Sequence, residues 1–107
     1  MQDSHVPTAI VGKPFDCVFG AFVPRLTYRS DTELRVQASI GGTEIDQVVS
    51  VGITMVGPDV ILVSWTEKNG NFVVQVHALP QRIVHNVARL ADGQLFRGEG
   101  SIRPVTV

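Results

Sequence analysis

Short runs of alternating apolar and polar residues, separated by turn-forming residues, fill almost the whole chain. Residues 33–40 alternate most regularly, with Leu34, Val36, Ala38 and Ile40 on one side and polar side chains on the other. A two-residue period is typical of a β-strand with one buried face. The pattern therefore predicts an all-β protein.

Residues 60–77 contain the clearest hairpin of the chain. Val, Ile, Trp and Phe, which favour strands, lie on both sides of Asn69-Gly70. An Asn-Gly pair supplies the positive φ angles that a two-residue hairpin turn requires. We therefore predict two strands joined by a tight turn, with Trp65 near the end of the first strand.

Turn signals divide the chain into eight predicted strands. The approximate bounds are residues 10–19, 22–29, 33–40, 44–56, 71–79, 83–90 and 95–103, with a fifth strand beginning at residue 60. Pro14 predicts that the early part of the first strand is an edge or a bend, because proline has no N–H to donate to a ladder. Gly52 suggests a bend or bulge in the fourth.

One segment fits two kinds of structure. Residues 83–91 carry an apolar stripe at helical spacing, followed by Gly93 as a stop signal. Short turns flank this segment and its neighbours are strands, so a strand is favoured over a helix.

Consecutive hairpins without a long crossover favour a single eight-stranded antiparallel up-and-down barrel over a sandwich. Closure also removes the exposed sheet edges that promote aggregation. Eight strands leave an interior that is either filled by side chains or holds one small ligand. Residues 1–9 are expected to form a flexible N-terminal arm, and residues 10–107 the barrel domain.

Composition narrows the class of protein. At 107 residues, with 44% hydrophobic and 18% charged residues, the chain predicts one compact domain. Its net charge of −1 argues against nucleic-acid binding. The most apolar window, residues 48–65, contains a Gly57-Pro58-Asp59 turn, so no membrane span is predicted.

The single cysteine, Cys17, excludes an internal disulfide and suits a reducing compartment. It lies within a predicted strand, so a packed side chain is favoured over a nucleophile. The N-terminus lacks a signal-peptide layout, and cytoplasmic residence is expected.

Several motifs resemble one family of small barrels. They are GKPF (residues 12–15), YRSDTELR (28–35), VSWTE (63–67) before Asn69-Gly70, IVHN (83–86) and DGQLFRGEG (92–100). In this order they resemble the MoaF-like family, named after molybdenum cofactor biosynthesis protein F, whose members are calycin or lipocalin-like barrels. The resemblance implies a cavity that receives a small molecule, without implying molybdenum chemistry.

Bacterial phenolic acid decarboxylases are similar in the same hairpin. Those enzymes use two tyrosines, an arginine and a glutamate in the barrel cavity. Arg35 is a counterpart of the arginine, but Tyr28 is the only tyrosine of this chain. The expected position of the glutamate carries Gly57-Pro58-Asp59 instead. These departures disfavour decarboxylation.

The candidate ligand-binding residues are Tyr28, Arg35, Trp65, His77 and His85. Trp65 would supply apolar contact, Arg35 a charge for a carboxylate, and the other three hydrogen bonds. Core packing is favoured over a pocket wall for Trp65. An outward side chain is favoured for Arg35, because the opposite face of the strand that carries Arg35 is apolar.

His77 and His85 lie on adjacent strands of one predicted hairpin and could approach each other across it. They are the two histidines of the predicted barrel, because His5 lies in the N-terminal arm. Two histidines without a carboxylate motif are a poor metal set, so neither a metal site nor a cofactor is predicted.

The residues are compatible with three functions. The first is a binding module for a small, partly apolar ligand, which would be anionic if Arg35 faces it. The second is a cofactor-independent lyase or isomerase for a phenolic or carbonyl acid, with a histidine as base, Tyr28 as acid and Arg35 as anchor. The third is a packed barrel that acts as a protein-interaction module. A homodimer is compatible with a small barrel.

Overall fold

The computed structural model of the protein describes residues 10–105. The predicted arm, residues 1–9, lies outside the described residues. Eight strands are present: β1 Pro14–Val18, β2 Arg25–Tyr28, β3 Glu33–Ile40, β4 Thr43–Gly57, β5 Val60–Thr66, β6 Phe72–Ala78, β7 Ile83–Arg89 and β8 Leu95–Pro104.

The strands close into one antiparallel up-and-down barrel. Each strand pairs with the next along the chain, and β8 pairs with β1. This confirms the predicted fold class. It also confirms a strand, and not a helix, in the ambiguous segment, because β7 spans Ile83–Arg89. The part of the chain from residue 10 to residue 105 has no helix with the length and apolarity that a bilayer crossing needs.

Two details of the predicted strands need comment. β1 begins at Pro14, so residues 10–13 lie outside the strand, as the effect of Pro14 on its early part predicted. The irregularity of β4 lies between Met55 and Gly57. Gly52 instead pairs with Ser64 in regular register.

The turn at Asn69-Gly70 is longer than predicted. The Glu67 N–H donates to the Asn71 carbonyl at 2.8 Å, so the turn contains residues 68–70. Of the predicted pair only Gly70 has a positive φ, 95°. This is the three-residue class of hairpin turn, which needs a left-handed residue only at its end.

The two ends of the barrel differ in packing. The end that carries the β2–β3, β4–β5 and β6–β7 turns is filled with side chains. The largest fully buried ones in the core are Tyr28, Leu26, Leu34, Ile61, His77, Val63, Val84 and Cys17. The opposite end, with the other four turns, is hollow.

Candidate functional site

A cavity of about 480 Å³ occupies the hollow end of the barrel. Its wall is contributed by inward-facing positions of β2 to β8 and by the turn between β1 and β2. Strand alternation explains this, because every second side chain of each strand points into the barrel.

Aromatic side chains dominate the mouth of the cavity. Phe19 and Phe22 stack with ring centroids 6.4 Å apart, and Phe96 and Trp65 complete the aromatic lining. Phe22 and Phe96 remain 37% and 48% exposed. An apolar surface that is both exposed and continuous with a cavity favours contact with an apolar guest.

A polar row lies deeper in the barrel, below the aromatic side chains. Register places Gln75 opposite Asn86 on the neighbouring strand, and both line the cavity. Gln75 Nε2 donates to Asn86 Oδ1 at 2.9 Å. Both residues are buried, so this contact satisfies polar groups that would otherwise be costly to desolvate.

A second polar group lies at the rim. Trp65 Nε1 donates to Glu67 Oε2 at 3.3 Å, and Asn71 Nδ2 donates to Glu67 Oε1 at 3.4 Å. Asn71 Oδ1 in turn accepts from the Ala91 N–H at 2.9 Å, which ties the β5–β6 turn to the β7–β8 turn. Glu67 is the charged residue of the cavity lining.

Tyr28 and His77 lie in the packed half, below the cavity. Each is 1% exposed, and their rings meet edge to face with centroids 6.0 Å apart. His77 Nε2 is 2.9 Å from Gln75 Oε1, the upper neighbour on the same face of β6. Burial lowers the pKa of His77 to about 4, and burial raises the pKa of Tyr28 well above its usual value.

Arg35 and His85 lie on the outer face of the barrel. Arg35 forms a bidentate ion pair with Asp46, with Nε–Oδ1 and Nη2–Oδ2 distances of 2.9 and 2.7 Å. His85 is exposed and pairs with Val76. His85 and His77 do not approach each other, because the register of β6 and β7 places the two imidazoles on opposite faces of the sheet.

Of the five candidate residues, Trp65 alone lines the cavity, while Tyr28 and His77 lie beneath it. Glu67, Gln75 and Asn86 were missed as site residues. A signal was present, since Gln75 and Asn86 occupy positions that alternation with Val73 and Ala88 assigns to the inner face.

The remaining reactive side chains do not assemble into a site. Cys17 is fully buried, and burial together with the charge of Asp16 raises its pKa to about 12. In residues 10–105 no group of three or more His, Cys, Asp and Glu side chains is placed to hold a metal ion.

Fold and cavity together define a class: a small calycin-like barrel, packed at one end and open at the other to an apolar cavity. The chain belongs to the MoaF-like family, whose model matches residues 11–103. No similar sequence was found among curated proteins.

One solved structure shares this architecture almost completely. It is a crystal structure from Burkholderia vietnamiensis, provisionally described as a beta-lactamase, and it matches with a TM-score of 0.84 at 21% identity. The match covers 92% of this chain and 97% of the other. At that identity the similarity establishes a common fold and nothing about activity.

Proposed function

We propose that the protein binds a small, mainly apolar molecule in the open half of its barrel. The cavity of about 480 Å³ carries this proposal. Its size falls in the range of small-molecule sites, and its lining has the usual composition of such sites, mostly apolar with a few polar groups. Burying one aromatic ring against Trp65 and Phe19 would supply a large part of the binding free energy.

The charges around the cavity favour an uncharged ligand. The expectation of an anion depended on an inward Arg35, and that side chain is paired with Asp46 on the outer face. Glu67 is the charged side chain of the lining. An anion in this cavity would lose its hydration without gaining a counter-charge, which is costly.

The geometry gives less support to the other two functions. A lyase or isomerase would need Tyr28 and His77 at the substrate, but both lie beneath the cavity. A packed interaction module would fill its interior, whereas half of this barrel is hollow. Homodimerisation and cytoplasmic residence stay predictions.

Binding can be measured with N-phenyl-1-naphthylamine, an uncharged apolar dye whose fluorescence rises in apolar surroundings. We expect saturable enhancement with a Kd in the micromolar range. Ala88→Trp should abolish it, because Ala88 lines the cavity between Val73 and Phe96 and an indole there fills the space.

Ala78→Trp is the matched control, because Ala78 faces outward on β6 between Val60 and Ile83. It should bind the dye like the unchanged protein, and so should Arg35→Ala. Circular dichroism must show that each variant is folded. Equal dye binding by Ala88→Trp and Ala78→Trp would place the dye outside the cavity and contradict the proposal.

A further inference from the structure

A row of polar side chains runs through the barrel interior from the packed end to the cavity. Its order is Tyr28, His77, Gln75 and Asn86. His77 Nε2 lies 2.9 Å from Gln75 Oε1, and Gln75 Nε2 lies 2.9 Å from Asn86 Oδ1. The last three are 1%, 3% and 7% exposed, so the interior holds these contacts away from solvent.

The hydrogen bonds of this row all point the same way. Gln75 presents its carbonyl oxygen to His77, so the imidazole must carry its hydrogen on Nε2 and donate it. Gln75 then donates to the carbonyl oxygen of Asn86. The free end of the row is therefore the amino group of Asn86. Within residues 10–105 the Asn86 Nδ2 atom donates a hydrogen bond to no acceptor, and Asn86 lines the cavity.

The packed end of the row holds two buried side-chain atoms that have no hydrogen-bond partner among the described residues, the Tyr28 hydroxyl and His77 Nδ1. With the hydrogen on Nε2, Nδ1 carries a lone pair. The two rings meet edge to face, and no hydrogen bond joins the hydroxyl to Nδ1. The chain of hydrogen bonds therefore begins at His77, and chains of this kind polarise each bond in the same sense.

We propose that the Asn86 amide donates a hydrogen bond to an uncharged acceptor on the ligand, namely a ketone, ester or amide carbonyl. His77 and Gln75 act as positioning residues that turn this amide donor toward the cavity. The proposal rests on the proposed binding function and names the ligand class. A carboxylate is disfavoured, because Glu67 is the charged side chain that lines the cavity.

The test uses two probes of almost the same shape, 2-acetylnaphthalene and 2-ethylnaphthalene, in isothermal titration calorimetry. The acetyl probe carries a carbonyl acceptor and the ethyl probe carries none. On the unchanged protein we expect the acetyl probe to bind about tenfold more tightly, the size of one buried hydrogen bond. A third probe, 2-naphthoate, should bind more weakly than the acetyl probe.

Asn86→Asp tests the donor, because it keeps an oxygen for Gln75 and replaces the amide N–H groups with a second acceptor. The preference for the acetyl probe should fall to about one, while the affinity for the ethyl probe changes little. Asn86→Leu, which introduces no buried charge, should have the same effect and provides a second variant if the aspartate impairs folding.

His77 is tested by rescue and by spectroscopy. His77→Leu should reduce the acetyl preference, and His77→Gln should restore it, since a glutamine amide can still donate to Gln75. Long-range ¹H–¹⁵N NMR spectra of the imidazole should show the tautomer protonated on Nε2. If His77 had a structural role alone, His77→Leu and His77→Gln would show the same ratio of affinities for the acetyl and ethyl probes.

The outcomes separate the two proposals. If neither the naphthalenes nor N-phenyl-1-naphthylamine bind, the proposed function fails and this inference fails with it; if the dye binds and the naphthalenes do not, only this inference fails. If both bind equally, or if the preference survives in Asn86→Asp and Asn86→Leu, only the donor role of Asn86 fails. Tightest binding of 2-naphthoate, or a His77 tautomer protonated on Nδ1, would also overturn this inference.

Discussion

Gln75, His77 and Asn86 determine the polarity of the barrel interior. Each occupies a position where alternation with valine or alanine would place an apolar side chain. A lone buried amide or imidazole costs on the order of 1–3 kcal/mol when its hydrogen bonds are lost. Because hydrogen bonds link the three across β6 and β7, they form a unit, and a change at one exposes the others to that cost.

The buried imidazole predicts a specific dependence of stability on pH. Burial lowers the pKa of His77 from 6.5 to about 4 in the folded protein. The unfolded chain binds this proton below about pH 6.5, whereas the folded protein does so only near pH 4. The contribution of His77 to the free energy of unfolding is therefore present in full above pH 6.5. It is lost progressively as the pH falls to 4, by about 3 kcal/mol in total.

Chemical denaturation at several pH values checks this. His77→Gln should show a flatter loss of unfolding free energy between pH 6.5 and pH 4 than the unchanged protein. His85→Gln is the matched control, because His85 is exposed on the neighbouring strand, and it should keep the full slope. Identical slopes for the two variants would show that His77 is not the group responsible.

At the scale of elements, hairpin turns and one close strand contact determine the barrel. The β5–β6 and β7–β8 turns both end on a glycine with positive φ, 95° at Gly70 and 92° at Gly93. The two turns lie side by side, since the Ala91 N–H donates to Asn71 Oδ1 at 2.9 Å. Closure itself depends on β1 meeting β8, the pair that is most distant along the chain.

Gly100 makes that closing contact, and its replacement should weaken it. A Cβ there would collide with the carbonyl oxygen of Val18 on β1. We expect Gly100→Ala to lower the unfolding free energy by about 2–3 kcal/mol, because backbone must move to admit the methyl group. Thermal denaturation measures the effect.

Gly98→Ala is the matched control on the same face of β8. Its Cβ would meet Phe19 and Phe96 at 3.5 Å, an ordinary contact distance. This variant should unfold within about 1 kcal/mol of the unchanged protein. An equal loss of unfolding free energy in both variants would contradict this prediction. The loss would then come from replacing a strand glycine in general, and not from the β1–β8 contact.

At the scale of the whole molecule, the barrel has a filled half and a hollow half. The same strands cross both halves, so any difference in local stability reflects packing and not secondary structure. Side chains around a cavity forgo contacts that a packed core supplies. Ligand sites are commonly drawn from such less stable regions.

Amide hydrogen exchange should resolve the two halves within single strands. We expect His77 and Val84, in the packed half, to exchange at least about tenfold more slowly than Val73 and Ala88, beside the cavity. Comparison within β6 and within β7 controls for strand position in the sheet. Addition of N-phenyl-1-naphthylamine should slow exchange at Val73 and Ala88 more than at His77. Uniform protection of both halves would contradict this division.

Local patterns predicted much of this fold. Alternation placed Leu34 and Val36 inside and Arg35 outside, and the turn residues divided the chain into eight strands. Register was less accessible, because shifting one strand by a single residue reverses every side chain. His77 and His85 illustrate this, since the pairing of His77 with Val84 fixes that the two imidazoles face opposite sides.

The site was predicted less completely than the fold. Trp65 was recognised because a single large aromatic residue in a strand is conspicuous. Gln75 and Asn86 are ordinary strand residues in one dimension, and their role depends on a hydrogen bond between residues eleven positions apart. Glu67 gains its role from Trp65 and Asn71 on the two sides of a turn.

The sequence by itself determined an all-β chain of consecutive hairpins and the face on which most side chains lie, because these depend on local periodicity and turn chemistry. Only the tertiary structure decided that one half of the interior is filled and the other hollow, and that a directed polar row joins them. Those properties depend on the total side-chain volume that all eight strands place at each level of the closed barrel. The residues at one level are far apart in the sequence, so no short stretch of sequence determines that volume.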